Sequence, residues 1–208
     1  MREEKIYIKN GSLVIEALLS RVPGENGVII CHPHSLMGGS MYNNVVEAIQ
    51  EAFSSQDICT VRFNFRGVGA STGNYDEGRG EQEDIIAVCE YLRELGKEKF
   101  IFAGYSFGAW VGSRIIAENS DPFEYSIFVA PPIDYFNFHW NHLKDKIDLL
   151  ICGDADQFCD VNILKAEAKK INSHVKVISG ADHFYSGQEK TLTNIFIEFM
   201  VKKNIIKL

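Results

Sequence analysis

Two classes of protein are disfavoured by what this sequence lacks. No apolar run among its 208 residues approaches the ~20 residues that a helix needs to cross a bilayer. The first residues, Met1–Lys5, include no apolar segment of the signal-peptide type. We therefore expect a cytoplasmic protein with no membrane partner.

Basic residues are outnumbered, because 21 Lys and Arg stand against 28 Asp and Glu. The resulting net charge is −7, and the chain contains no long basic run. Nucleic acids are bound by clustered positive charge, so we expect no nucleic-acid partner.

Cysteine pairs suited to disulfides or zinc are also missing. The chain has five cysteines, an odd number, and none belongs to a Cys-x-x-Cys pair. Four lie at the ends of strand-like runs or on the apolar face of a helix, so we expect reduced thiols in the core. Cys159 is the exception, because it lies in a loop. The five are Cys31, Cys59, Cys89, Cys152 and Cys159.

The sequence does have enough apolar content, 46% of its residues, for one sizeable core. We expect a single domain over residues 1–208. Strand-like and helix-like segments alternate from Val28 onward, which predicts an α/β fold with a mostly parallel twisted sheet and helices on both faces. An Asn10-Gly11 turn predicts an antiparallel hairpin at the N-terminus. The predicted strands are Lys5–Ile8, Leu13–Leu19, Val28–Cys31, Ile58–Phe63, Phe100–Tyr105, Tyr125–Ala130, Ile147–Cys152 and Val175–Ile178.

One stretch, Phe100–Ile116, carries the chemical signal around which the rest is arranged. An apolar strand-like run enters Gly104, Ser106 stands at the corner, and a helix-like run with Gly108 follows. Gly-x-Ser-x-Gly between a strand and a helix is a nucleophile elbow, in which glycines leave room for a tightly turned serine. The start of the following helix directs free N–H groups toward a developing oxyanion.

A second match to the same pattern, Gly69–Gly73, places Ser71 in the corresponding position. It lies in a glycine-rich run, and no apolar helix follows directly. Context distinguishes the two, so we interpret Gly69–Gly73 as a loop and Ser106 as the nucleophile.

A nucleophilic serine needs a base, and the base needs an orienting acid. His183 is the candidate base, because it lies in the loop after the last predicted strand. Two aspartates compete for the acid after the strand Ile147–Cys152. Asp156, further into the loop, is favoured because it can turn back toward the histidine, whereas Asp154 is placed to bond loop backbone.

The oxyanion hole needs two backbone donors. Phe107 follows the nucleophile and supplies the first. The second is expected from the segment after Val28–Cys31, where Pro33 has no N–H, so His34 is preferred and Ser35 is next. His32 and His34 form a His-x-His pair, which is a weak metal signal without a third ligand. We expect no metal and no cofactor.

An aromatic run, Tyr135–Trp140, lies between the predicted strands Tyr125–Ala130 and Ile147–Cys152. The interval between Ala130 and Ile147 leaves room for only a minimal lid, which favours an open site and short or exposed acyl groups. Whether the aromatic run lines an acyl pocket or packs in the core stays open at this point. The candidate substrate-binding residues are Leu36, Tyr105, Phe136, Phe138 and Trp140.

Four segments together give the chain a family resemblance. It resembles compact, lid-poor serine hydrolases of the α/β-hydrolase superfamily, distantly similar to dienelactone hydrolases. The resemblance implies an α/β-hydrolase fold, a Ser106–Asp156–His183 triad in that chain order and a loop-plus-elbow oxyanion hole. Dienelactone hydrolases use cysteine where this chain has Ser106, and His32-Pro33 replaces the common His-Gly pair. The four segments are His32–Gly39, Asn64–Ser71, Gly104–Gly108 and Ala181–Phe184.

These residues predict a cofactor-free serine hydrolase that acts on a small-molecule carboxylic ester or thioester through an acyl-enzyme. Two alternatives remain. One is an acyltransferase or peptidase that uses the same triad, and the other is a non-catalytic ligand-binding protein on a hydrolase fold. The sequence does not indicate an oligomeric state.

Overall fold

A mixed sheet dominates the architecture. In the computed structural model, residues 3–118 and 121–207 are described, and they form eight strands in one sheet and five α-helices. The strands are β1 (Glu4–Asn10), β2 (Leu13–Ser20), β3 (Asn26–Cys31), β4 (Cys59–Phe63), β5 (Lys99–Tyr105), β6 (Phe123–Val129), β7 (Leu149–Gly153) and β8 (His174–Ile178). The helices are α1 (Asn44–Ser54), α2 (Arg79–Glu94), α3 (Phe107–Ile116), α4 (Val161–Lys170) and α5 (Glu189–Lys202).

The strands lie in the order β1-β2-β4-β3-β5-β6-β7-β8. The β1–β2 and β2–β4 pairs are antiparallel, and every other neighbouring pair is parallel. The N-terminal hairpin is therefore confirmed, although its turn lies one residue later than predicted. Asn10 pairs with Leu13, so Gly11 and Ser12 form the loop. Gly11 has φ +58, which suits the first position of a two-residue hairpin turn.

Helices cover both faces of the sheet. Helices α1 and α5 pack together against one face, and α2, α3 and α4 cover the other. The central strands β3 and β5 are almost wholly buried because both of their faces are covered. All five cysteines are buried free thiols, as predicted for the four in strands and helices, and the loop residue Cys159 is buried as well.

Helix α4 was not predicted from the sequence. Leu164 and Ala168 are its only fully buried residues, which is too sparse a pattern to indicate an amphipathic helix. Its first turn is fixed by Asp160, whose carboxylate accepts hydrogen bonds from the amides of Asn162 and Ile163. A crossover is required here because β7 and β8 are parallel.

The sheet brings the carboxyl ends of six parallel strands to one edge, with β5 between β3 and β6. The interval from β6 to β7 contains a single short 3-10 turn, Trp140–His142, so no helical lid lies at this edge in the described part of the chain. In residues 3–118 and 121–207, no helix has both the length and the apolar character needed to cross a membrane. Ligand sites of open α/β sheets lie at this edge.

Candidate active site

Ser106 stands at a strained corner between β5 and α3. Its backbone angles are φ +53 and ψ −117, a region that residues with a Cβ rarely adopt. The flanking glycines make the corner possible. A Cβ on Gly104 would lie 2.6 Å from the backbone of Ala109, and one on Gly108 would lie 2.7 Å from Cys31.

The Ser106 hydroxyl faces His183. The Ser106 Oγ lies 2.9 Å from His183 Nε2, and His183 Nδ1 lies 2.9 and 3.0 Å from the two carboxylate oxygens of Asp156. An ionised carboxylate only accepts hydrogen bonds, so the proton of the neutral imidazole belongs on Nδ1. Nε2 is then free to accept the hydroxyl proton, which is the arrangement a general base requires.

The two aspartates after β7 occupy different environments. The Asp156 side chain is 0% exposed, and its Oδ1 also accepts a hydrogen bond from the Phe158 amide. Asp154 instead accepts from the amide of Gly180 (2.6 Å) and from the hydroxyl of Ser179 (3.1 Å). The structure thus brings Asp156 to the histidine and leaves Asp154 bonded to the neighbouring loop.

The acid loop and the base loop are held against each other. The amide of Ala155 donates to the carbonyl of Ala181 at 3.0 Å. On the other side of the base, the Tyr105 hydroxyl donates to the carbonyl of His183 at 2.9 Å. Burial, followed by the charges of Asp156 and Asp182, raises the pKa of Tyr105, so the hydroxyl stays a donor. These contacts fix the backbone that carries the imidazole.

The candidate oxyanion donors both border the same cavity as Ser106. Among the backbone hydrogen bonds of the described residues, none uses the amide of His34 or of Phe107 as its donor. Phe107 is the first residue of α3, where free N–H groups and the helix dipole favour negative charge. Both amides are therefore available to a ligand.

The side chain of His34 shapes its own loop. Its Nδ1 accepts a hydrogen bond from the Leu36 amide (3.2 Å), and its Nε2 lies 3.3 Å from the Tyr75 hydroxyl. Because Nδ1 is an acceptor, the proton of the neutral ring lies on Nε2 and is donated to Tyr75. Burial lowers the pKa of His34. The ring also packs 4.7 Å from that of Phe107.

His32 has a structural environment. It is completely buried, its Nε2 accepts the amide of Phe65 (3.0 Å), and its Nδ1 donates to the carbonyl of Pro33 (2.6 Å). Burial lowers the pKa of His32 to about 4, so the ring is neutral. Both nitrogens are engaged, so His32 and His34 do not together present ligands to a metal.

The loop that leads to Tyr75 is held by a buried ion pair. The Arg66 guanidinium bonds the Asp84 carboxylate at 2.8 to 3.2 Å, and the Arg66 amide adds a further bond to the same carboxylate. Ser71, the serine of the second Gly-x-Ser-x-Gly match, donates to the Asn64 carbonyl and accepts from the Glu16 amide. These bonds account for Ser71 as part of a bracing loop.

A cavity of about 450 Å³ opens beside Ser106. It is lined mostly by apolar and aromatic side chains, with few polar groups. Of the predicted substrate-binding residues, Tyr105 and Phe136 line it. The lining residues are Pro33, His34, Met37, Gly38, Gly39, Asn43, Tyr105, Ser106, Phe107, Pro132, Tyr135, Phe136, Phe158, His183 and Phe184.

Three predicted substrate-binding residues lie elsewhere. Phe138 is buried in the core against Phe128, with ring centroids 6.0 Å apart. Trp140 stacks on Phe138 at 5.1 Å and does not border the cavity. Leu36 points to solvent, while Met37 beside it borders the cavity. These three residues therefore do not line the cavity, and their substrate-binding role stays a prediction.

Among the lining residues with large apolar side chains, sequence reasoning missed four. Each lies in the segment that follows the carboxyl end of a parallel strand. That position was the signal that could have indicated them. The missed residues are Met37, Tyr135, Phe158 and Phe184.

Comparison with known proteins places this geometry in context. A family model described as the alpha/beta hydrolase family matches residues 28–155. An alpha-beta serine hydrolase homologue from Coxiella burnetii is 31% identical, with a TM-score of 0.86, and the match covers 96% of this chain and 98% of that one. A serine hydrolase without a lid from Xanthomonas campestris is 28% identical, with a TM-score of 0.85, over 97% and 95% of the two chains.

A more distant structure shares the fold. Est1E from Butyrivibrio proteoclasticus, with ferulic acid bound, is 19% identical and has a TM-score of 0.82, with 97% of this chain and 100% of that chain covered. Each of these matches covers 96% or 97% of this chain.

Proposed function

Because the chain belongs to the alpha/beta hydrolase family, we propose that it is a serine hydrolase that cleaves carboxylic ester or thioester bonds. The observation that supports the proposal is a continuous chain of hydrogen bonds from Asp156 through His183 to Ser106. Ser106 and His183 both border the cavity. A serine hydroxyl is a weak nucleophile near neutral pH, and such a chain of hydrogen bonds activates it.

The proposed reaction proceeds in two halves. Ser106 Oγ attacks the carbonyl carbon while His183 Nε2 takes its proton, and Asp156 stabilises the imidazolium through Nδ1–H. The amides of Phe107 and His34 receive the negative charge on the carbonyl oxygen. His183 then protonates the leaving alcohol or thiol, which departs and leaves an ester on Ser106.

Water resolves this acyl-enzyme by the same groups. His183 removes a proton from the water, which attacks the acyl carbon, and then returns a proton to Ser106 Oγ. The open edge of the sheet gives water a path to the acyl group, because none of the described residues forms a helical lid over it.

The cavity supports a small carboxylic substrate. Its volume of about 450 Å³ lies within the range of small-ligand pockets. The fold neighbour Est1E holds ferulic acid, and an acid is the product that ester cleavage releases.

Labelling by a fluorophosphonate probe, measured beside hydrolysis of p-nitrophenyl esters, tests the proposal. Wild type is expected to label and to turn over, and Ser106→Ala to lose labelling and more than about 10⁴-fold in rate. Ser71→Ala is the matched control, because Ser71 occupies the same motif position and should leave labelling in place. Equal turnover by wild type and Ser106→Ala would contradict the proposal.

A further inference from the structure

Large apolar side chains stand exposed around the mouth of the cavity. Met37, Tyr135 and Phe184 border the cavity and yet are 75%, 67% and 51% exposed. Leu36, next to Met37 in the chain, is 71% exposed. We call these four residues the rim. Contiguous exposed apolar surface is unusual unless it binds something.

The fold places the rim on more than one side of Ser106. Met37 follows β3 and Tyr135 follows β6, and these two strands flank β5, which ends next to Ser106. Phe184 follows β8, at the end of the sheet. The amide group of Asn44 donates to the Phe184 carbonyl at 3.0 Å, which ties the loop of Phe184 to the start of α1. The rim is therefore continuous with the cavity mouth.

Charge next to the rim is sparse and acidic: exposed Asp134 precedes Tyr135, and exposed Asp182 lies two residues before Phe184. None of the residues that line the cavity in the described part of the chain is Lys, Arg, Asp or Glu. The segment from His32 to Val46, which contains Leu36 and Met37, also has no such residue. A phosphate or carboxylate placed here would lose its hydration without an ionic partner. The occupant must therefore be apolar and carry no anionic group.

The occupant must also leave the reaction possible. A folded partner bound to the rim would block access to Ser106, because the rim residues Met37, Tyr135 and Phe184 also border the cavity. A substrate that extends outward from the cavity covers the same side chains without obstructing the chemistry. Burial of an otherwise exposed apolar chain against the rim is favourable in proportion to the area removed from water.

We propose that the rim is a binding subsite for the apolar part of the substrate that projects beyond the cavity, so that the preferred substrates are uncharged esters or thioesters with a long hydrophobic group. The inference rests on the proposed function, since it names the substrate class of that site. The preferred acyl group is thus long, where the sequence alone suggested a short or exposed one. Substrates whose projecting portion carries phosphate are excluded.

A series of p-nitrophenyl esters from acetate to decanoate, used below their aggregation concentrations, tests the subsite. In wild type kcat/KM is expected to rise about two- to fourfold per methylene over the part of the series that reaches the rim. The double variant Leu36→Ser/Met37→Ser is expected to lower the decanoate-to-acetate ratio at least tenfold. Tyr7→Ser and Ile163→Ser, on exposed apolar residues outside the rim, are expected to keep the wild-type ratio.

A charge comparison uses one acyl group on two carriers. The neutral S-decanoyl-N-acetylcysteamine is expected to be turned over with a higher kcat/KM than decanoyl-coenzyme A, whose carrier bears phosphates. A higher value for the coenzyme A thioester would overturn the proposal, as would an unchanged decanoate-to-acetate ratio in the double variant.

Binding of an inert ether separates failure of the subsite from failure of the proposed function. The affinity for decyl methyl ether, measured by calorimetry, is expected to fall at least tenfold in the double variant and to stay unchanged in Tyr7→Ser. Weakened ether binding together with an absence of ester turnover would contradict the proposed function alone. Equal ether affinities in wild type and the double variant would contradict the subsite alone.

Discussion

Gly153 and Ala181 lie in direct contact where the acid loop meets the base loop: a Cβ on Gly153 would stand 2.0 Å from the carbonyl oxygen of Ala181. Since Asp156 and His183 follow these two residues by three and two positions, their approach depends on a glycine that neither reacts nor binds. The hydrogen bond between carboxylate and imidazole is thus set by backbone packing.

Gly153→Ala is therefore expected to separate the two loops. The methyl group must displace backbone, and overpacking of this kind costs about 1–3 kcal/mol of stability. We expect kcat for ester hydrolysis to fall by more than tenfold, because the general base loses its alignment. Gly27→Ala, near the amino end of β3, crowds side-chain atoms of Leu92 and Lys97 and no backbone, so it should keep kcat. Equal kcat in both variants would contradict this role.

Substitution of the two aspartates separately tests which one orients His183. Asp156→Asn is expected to lower kcat by about 10⁴-fold, because an amide no longer holds the imidazole in the required tautomer. Asp154→Asn retains a side-chain oxygen for the Gly180 amide and should stay within about tenfold of wild type, as a lost neutral contact costs about 1 kcal/mol. Steady-state kinetics of both variants on one ester give the comparison, and a reversed order would assign the acid to Asp154.

The ring of His34 is expected to act by positioning its own amide. His34→Ala removes the acceptor for the Leu36 amide, so we expect kcat to fall about tenfold or more with a smaller change in KM, since the oxyanion is bound more tightly than the ground state. His34→Asn is expected to restore much of kcat, because an asparagine oxygen can accept the same amide in an Asx turn. Equal kcat for the two variants would show that this hydrogen bond does not matter.

His32 is expected to make stability depend on pH. Its pKa is about 4 in the folded protein and 6.5 in the unfolded chain, so between these values the unfolded state binds more protons. Stability is then fully present above about pH 6.5 and falls as the pH approaches 4, by about 3 kcal/mol in all. Urea unfolding from pH 7 to 4 measures the slope, and His142→Asn, at an exposed histidine, should keep it. An equally steep slope in His32→Asn would contradict the assignment.

The sequence predicted the elements whose signals are local. Gly104, Ser106 and Gly108 define their own corner, and a histidine or aspartate just after a buried strand must lie at the carboxyl edge of a parallel sheet. Those positions needed no knowledge of loop conformation, which is why Ser106, Asp156 and His183 are found together.

The walls of the cavity could not be predicted in the same way. Phe136 borders the cavity and Phe138 enters the core, although both belong to one aromatic run. Met37 likewise borders the cavity, whereas the sequence had pointed to its neighbour Leu36. In an irregular loop no period relates neighbouring side chains, so only the folded backbone decides which of them faces the substrate.

The backbone conformation of Ser106 supports hydrolase activity but lowers the stability of the folded protein. Its backbone angles, φ +53 and ψ −117, are accessible to glycine without steric strain, whereas a serine there carries strain on the order of 1–3 kcal/mol. Ser106→Gly should therefore yield a protein with a higher melting temperature and no ester turnover. Screening for heat resistance alone would therefore favour variants that have lost this serine and its activity. Selection of a stabilised form needs turnover as a second criterion.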